Sequence, residues 1–230
     1  MKDEALQKVA EITTDWAYMQ ELPVKIHNFQ LQRLQQIHED KYDLYSYANG
    51  AAHRSVTAYF HAETNEYKLR IQLGSFEFCL TECIAPSLET FEHLLCAQFN
   101  EIVSNLAEFK PAKVDALFES KHIVDWQFAF TLPERLEDFE LFIRPSQPFR
   151  ITNGSYIILD YEHFPSQSNF AIYYNVFRDE FFSDSRVAAV PDTDYEFDSH
   201  TLEELQDRIS SCLAKRLKAI RTRAEKELYS

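Results

Sequence analysis

At 230 residues, 45% of them apolar and 26% charged, the chain is long enough to bury a substantial core, and its 19 Phe and 12 Tyr are too much aromatic area to leave disordered. The net charge of −14 argues against sequence-independent binding to nucleic-acid phosphates and favours solubility or a basic protein partner. Four cysteines without framework spacing read as reduced thiols of a cytoplasmic protein, Met1-Lys2-Asp3-Glu4 leads into no apolar signal segment, and nothing approaches the roughly 18 consecutive apolar residues of a membrane span.

The first expected element is a short helix carrying Ala5, Leu6, Val9 and Ile12 at helical spacing. It leads into Asp15-Trp16, a segment that closes on Leu22-Pro23. The pattern returns 110 residues later, where Asp125-Trp126 closes on Leu132-Pro133, and Phe29 and Leu31 are answered by Phe139 and Leu141. Ahead of the second copy, Asp115-Ala116-Leu117 echoes Glu4-Ala5-Leu6. Trp16 and Trp126 are the two tryptophans of the chain, and self-similarity at such a distance points to a repeated unit. The alternation of Trp126, Phe128, Phe130 and Leu132 predicts a half-buried strand. Ile26, Phe29, Leu34 and Ile37 fit a helical stripe, but the echo over Phe139–Ile143 fits a strand and is followed by Pro145 and Pro148, so a strand is expected in the second copy and, unless the first copy has diverged into a helix, in both.

Asn49-Gly50 and Asn153-Gly154 each follow an apolar run and predict hairpin turns at equivalent places, here 104 residues apart. Strands over Val56–His61 and Tyr67–Leu73 are matched with Tyr156–Tyr161 and Phe170–Val176. Phe76–Leu80 is a further strand, whose counterpart near Phe181-Phe182 leads into a longer acidic loop holding the second half's extra residues. Each half closes on a long helix with Ser87 or Thr201 as N-cap, Thr201 and Glu204 forming a capping box. At an offset of 114, Leu88, Phe91, Leu95 and Phe99 map onto Leu202, Leu205, Ile209 and Leu213 along one apolar stripe.

Chemistry is harder to find. Cys79, Cys83, His93 and Cys96 are ligand-type residues, but on a helix from Leu88 the His93 side chain points roughly 160° away from the apolar stripe, so no zinc site is expected. Asp192, Asp194 and Glu196 are spaced like the start of a calcium loop; Phe197 stands where that loop needs Gly, and Pro191 precedes it, which leaves an acidic solvated loop. Glycines only at 50, 74 and 154 preclude phosphate-cradling loops, and GxSxG, HExxH and CxxC motifs are absent. His61 and His163 stand alone at strand ends. Lys215, Arg216, Lys218, Arg221 and Arg223 complement the dipole of the last helix, and their docking on an acidic surface of a second copy would make a homodimer.

The expected architecture is α+β: two tandem similar halves, 1–112 and 113–230, each an antiparallel sheet of four or five strands packed by a long C-terminal helix and opened by a short helix. In charge and α/β composition alone the chain resembles small acidic secretion chaperones. A non-enzymatic, cytoplasmic protein-binding protein of chaperone, immunity or adaptor type is expected, with no cofactor and no metal. The candidate binding residues are the acidic run Asp192, Asp194, Glu196 and Asp198, together with Trp16 and Trp126, which otherwise serve as buried anchors. The competing expectation is an enzyme or small-ligand binder with a site in the cleft between the halves.

Overall fold

A computed structural model describes residues 2–108, 116–151 and 154–228, so the 112/113 junction, Asp115 and Asn153 lie outside the described residues. The chain divides into two compact units, Met1–Glu108 and Phe109–Ser230, and each is α+β. No described helix is long and apolar enough to cross a membrane.

In the first unit, helices α1 (Lys2–Thr14) and α2 (Ala17–Glu21) precede an antiparallel meander in sequence order, made of β1 (Lys25–Ile26), β2 (Phe29–His38), β3 (Lys41–Asn49), β4 (Arg54–His61), β5 (Glu66–Leu73) and β6 (Phe76–Cys79). Helix α3 (Leu88–Glu108) follows. The Ser87 hydroxyl accepts the Thr90 amide at 3.2 Å and caps it, and one stripe, Phe91, Leu95, Phe99, Val103 and Leu106, is buried. Phe99 meets the rings of Tyr45 and Tyr47 at 5.8 and 5.4 Å, and Phe91 meets Tyr67 at 5.7 Å, so aromatic side chains fasten the helix to β3 and β5.

The second unit opens with α4 (Ala116–Ser120) and a 3-10 helix at Gln127–Thr131. Its strands are β7 (Arg135–Leu136), β8 (Phe139–Ile143), β9 (Phe149–Arg150), β10 (Ser155–His163), β11 (Ser168–Asn175), β12 (Glu180–Val187) and β13 (Val190–Ser199). They form a seven-stranded sheet in the order β13-β12-β11-β10-β8-β7, with β9 also paired to β10. Helix α5 (Leu202–Leu228) packs on β11, β12 and β13. The Thr201 hydroxyl accepts the Glu204 amide at 3.2 Å while Glu204 Oε2 accepts the His200 amide at 3.0 Å, a reciprocal cap. The strand counts of six and seven exceed the expected four or five because β1, β7 and β9 are two-residue strands too short to leave a periodic signal.

From α2 to the start of β2 each element has a counterpart 110 residues on, and from β3 onward the offset is a constant 114. Small details repeat with it. Tyr47 Oη donates to the Pro23 carbonyl at 2.5 Å, and Tyr161 Oη donates to the Pro133 carbonyl at 2.7 Å. Tyr67 bridges to Ala85 as Phe181 pairs with Ser199.

These registers correct four expectations. Asn49-Gly50 corresponds to His163-Phe164, because both open three-residue 3-10 helices, Gly50–Ala52 and Phe164–Ser166. Asn49 Oδ1 accepts the Ala52 amide at 3.2 Å, and the left-handed residue is His53 at φ 50° rather than Gly50, so no tight Asn-Gly hairpin forms. Strand β10, which holds Tyr156–Tyr161, is therefore the counterpart of β3 and not of β4, and Phe181-Phe182 lies on the counterpart of β5. The second half's four extra residues fall between β8 and β10, not near Asp192. Finally, 127–131 is helical: Trp126, Ala129 and Leu132 are buried at spacing three, whereas Phe130 is exposed, which is 3-10 and not strand periodicity.

Candidate functional site

The second unit carries a cleft of about 460 Å³ where β7, the start of β8, the end of β10 and the Phe164–Ser166 helix converge. Pro133 ends the preceding segment, and its carbonyl is held by Tyr161 of β10. Leu136 pairs with Phe139, and the two residues between them, Glu137 and Asp138, both have positive φ, 51° and 71°, as a two-residue hairpin turn requires. Such turns favour Asn-Gly. Here the turn sets two carboxylates at the edge of the cleft.

Inside, Glu140 on β8 stands directly opposite Glu162 on β10, and both line the cleft. Like charges across a strand pair oppose one another. Glu140 is ion-paired to Arg135, and Arg221 of α5 reaches Asp138, lying 3.8 Å from Glu137. His163 Nδ1 is 2.6 Å from the Ser166 hydroxyl, and Leu136, Phe164 and Pro165 add apolar wall. Glu162 has no exposed surface, and neither does Asp160, two residues earlier. Asn169 Nδ2 donates to Asp160 Oδ1 at 3.0 Å, while Oδ2 meets no donor. Burial, reinforced by the neighbouring charge of Glu162, pushes the Asp160 carboxyl well above the usual carboxylate range. Asp160-x-Glu162, closing the otherwise apolar run that begins at Tyr156, was the available sequence signal, which strand periodicity alone does not bring out.

The corresponding positions of the first unit hold different chemistry. Gln30 pairs with Ala48 where Glu140 pairs with Glu162, His27-Asn28 replaces Glu137-Asp138, and Gly50 replaces Phe164. The acidic lining belongs to the second unit.

No family model matches the chain, and comparisons with curated proteins and with solved structures give no match.

The acidic run Asp192, Asp194, Glu196 and Asp198 is not a loop but strand β13. Asp192 and Asp194 lie opposite Ser185 and Ser183, on the face that buries Phe181 and Val187 and receives α5. Arg216 Nη2 donates to Asp192 Oδ2 at 2.9 Å and to Ser185 Oγ at 2.7 Å, its Nη1 lies 3.2 Å from Asp194 Oδ2, and Arg223 donates to Asp192 at 2.7 Å. Burial alone would raise the Asp192 carboxyl, but Arg223 and Arg216 hold it below the ordinary value. A bulge between Phe181 and Ser183 then breaks the parity of the run. Beyond it the Glu196 carboxylate accepts from the Cys212 thiol, and burial with the Glu180 charge raises Asp198. The basic residues of the last helix thus pair with β13 and with the Glu137-Asp138 turn of their own unit. Arg216→Ala is expected to cost about 2–3 kcal/mol in urea denaturation, because it leaves Asp192 with Arg223 alone and takes from Asp194 its arginine. A loss below about 0.5 kcal/mol would reduce the network to surface pairing.

Trp16 and Trp126 are both buried, at 6% and 8% exposure. Trp16 Nε1 donates to Glu92 Oε2 at 2.6 Å, tying the start of α2 to α3. The cysteines are free thiols, and Cys83 is buried while Cys96 is exposed. In the first unit, His61 Nε2 lies 3.0 Å from Asp40 Oδ2, with Glu63 within ligand distance of both. Lys2 bonds Glu63 at 2.7 Å, so one of the cluster's two carboxylates already has an ammonium partner, and Lys68, paired with Glu66, lies 3.5 Å from His61 Nδ1.

Proposed function

We propose that the chain is a non-enzymatic protein-binding protein of chaperone or adaptor type, built by internal duplication, whose second unit recognises a basic segment of its partner. The duplication is supported by the constant element offsets and by the paired Tyr47–Pro23 and Tyr161–Pro133 hydrogen bonds. The observation that carries the binding reading is the placement of Glu137, Asp138, Glu140 and Glu162 around one cleft, at positions where the first unit has His27, Asn28, Gln30 and Ala48. Facing carboxylates cost the sheet stability, so their presence in one copy alone is a feature of binding rather than of folding. Asp192 and Asp194 are held by Arg216 on the face that receives α5, whereas Glu137, Asp138 and Glu140, although paired with Arg221 and Arg135, line a cavity. Free cysteines agree with a reducing cytoplasm.

The test is binding to immobilised peptide sets that differ only in charge. Preference for basic sequences, with an on-rate falling as salt rises and lost when Glu137, Asp138 and Glu140 become amides, is the expected result. Neutralising Asp192 and Asp194 should lower stability without changing that preference. Equal capture of basic and acidic sets would overturn the reading.

A further inference from the structure

We propose that the first unit holds one divalent transition-metal ion of zinc type, ligated by Asp40, His61 and Glu63 where the β2–β3 and β4–β5 turns meet. The site lies outside the acidic cleft and does not depend on the basic-partner reading.

Strands β3 and β4 pair Lys41 with His61, and the Ala62 amide donates to the Asp40 carbonyl at 2.8 Å, so the two turns are stitched together at one end of the sheet. On that frame the ligand atoms of Asp40, His61 and Glu63 lie within 4.8 Å of one another, and His61 Nε2 is 3.0 Å from Asp40 Oδ2. Two donors of one tetrahedral ion stand roughly 3.3 Å apart at ordinary zinc–ligand lengths. Asp40 and His61 are therefore already near ligand spacing, and Glu63, the exposed member, has to turn inward to complete the set.

The imidazole is oriented for ligation. Thr64 gives its hydroxyl hydrogen to Glu66, and its oxygen lies 3.1 Å from His61 Nδ1, where it accepts the ring N–H. Nε2 then turns a lone pair to the Asp40 carboxylate, and two acceptors 3.0 Å apart need a positive charge between them. A ligating histidine is commonly fixed in this way, through a partner on its other ring nitrogen. One imidazole and two carboxylates suit Zn²⁺, whose charge they balance, and leave a coordination position for water.

Three ammonium groups stand around the cluster. Lys68 lies 3.5 Å from His61 Nδ1 but is paired with Glu66 at 3.0 Å, and Lys41 acts on Asp40 through space. Of the three, Lys2 is the one that bonds a ligand carboxylate, at 2.7 Å from Glu63, and the two side chains are 56% and 59% exposed. So exposed a pair contributes little, and the arriving ion displaces Lys2.

The second unit builds the same corner without these side chains. At an offset of 114 the backbone bond recurs, the Val176 amide donating to the Gly154 carbonyl at 3.0 Å, yet Gly154, Asn175 and Phe177 stand where the first unit has Asp40, His61 and Glu63. There Asn175 Oδ1 accepts the amides of Phe177 and Arg178, and the Phe177 ring lies against Gly154. A turn that folds with neutral caps in one copy carries three metal-ligand side chains in the other, which marks them as a site rather than a folding device.

The experiment titrates the full chain with Zn²⁺ by calorimetry, with Mg²⁺ as the hard-ion control, while the histidine ring nitrogens are followed by NMR. One Zn²⁺ per chain should bind with a shift of the His61 Nε2 signal and a raised melting temperature, and Mg²⁺ should not compete. His61→Ala and Asp40→Asn should each weaken binding about tenfold or more, and so should Thr64→Val through the orientation of the ring. Lys2→Ala should tighten binding, because Lys2 competes for Glu63. Glu140→Gln, in the cleft of the other unit, should change nothing. If His61→Ala fails to fold, Glu63→Gln, on an exposed side chain, decides the matter by weakening binding or leaving it intact. No Zn²⁺ binding, equal uptake of Mg²⁺, or binding that survives the ligand variants and so belongs to the free thiols would overturn the proposal.

Discussion

Replacing Trp126 with alanine is expected to destabilise the protein by about 3–5 kcal/mol, and replacing Trp16 by as much. Each indole ends up buried at the start of a short helical segment, where it is the first of three buried residues at spacing three: Trp16, Met19 and Leu22, and Trp126, Ala129 and Leu132. Deleting a large aromatic there removes its apolar burial and its ring contact with Tyr18 or Phe128, and leaves a cavity. Trp16→Ala also strips the donor from Glu92 Oε2. Trp16→Phe separates the two losses, since it restores most of the volume and none of the hydrogen bond. Thermal melts followed by circular dichroism decide it. Wild-type melting temperatures in both alanine variants would place the indoles outside the cores and return them to the role of a recognition surface.

The second large effect is one of pH. The folded-state pKa of Asp160 lies well above its unfolded value because burial, and then the Glu162 charge, disfavour the carboxylate. The unfolded chain ionises this group near pH 4 while the folded chain keeps it protonated. Stability is therefore unaffected by the group below that pH, falls as pH rises above it, and levels off once pH passes the elevated folded value. Asp160→Asn keeps the shape, keeps an oxygen for Asn169 and cannot ionise. Its advantage over the wild type should be absent at pH 4 and should grow through neutrality, read as a widening gap between urea midpoints. A gap independent of pH, or one that narrows, would mean that Asp160 is ionised in the folded protein and paired with Arg186.

Much of the fold was legible because its longest elements are strongly periodic. Helices α3 and α5 declared themselves through caps at Ser87 and Thr201 and unbroken apolar stripes. The recurring order of elements was legible through Trp and Leu-Pro, residues that mark a tight, buried corner. Its register was not. Asn-Gly is so strong a local turn signal that it drew Asn49-Gly50 onto Asn153-Gly154, whereas the fold uses Asn49 as a cap and puts His163-Phe164 in the matching place. Strands β10 and β11 are buried along almost their whole length, so alternation could not reveal which neighbours they pair with. The run from Asp192 to Asp198 looked solvated because charge was read without its partner. Arg216 is 24 positions away, and only the docking of α5 brings it there. The cleft was illegible for the same reason, since Arg135, Glu140 and Glu162 meet only through strand register.

The ends of the two sheets are also informative. Edge strands β1 and β7 are two residues long and β6 is four. The remaining edge, β13, has ten residues, but Pro191 offers no amide hydrogen, the bulge twists the strand away, and Arg216 and Arg223 grip its carboxylates. None of the four presents a flat ladder of free amides and carbonyls. A chain this rich in aromatic strands would otherwise be prone to amyloid-like stacking and to capture of stray peptides by backbone pairing. Along those four strands affinity for a partner comes from side chains, and discrimination between partners becomes a matter of which charges they carry.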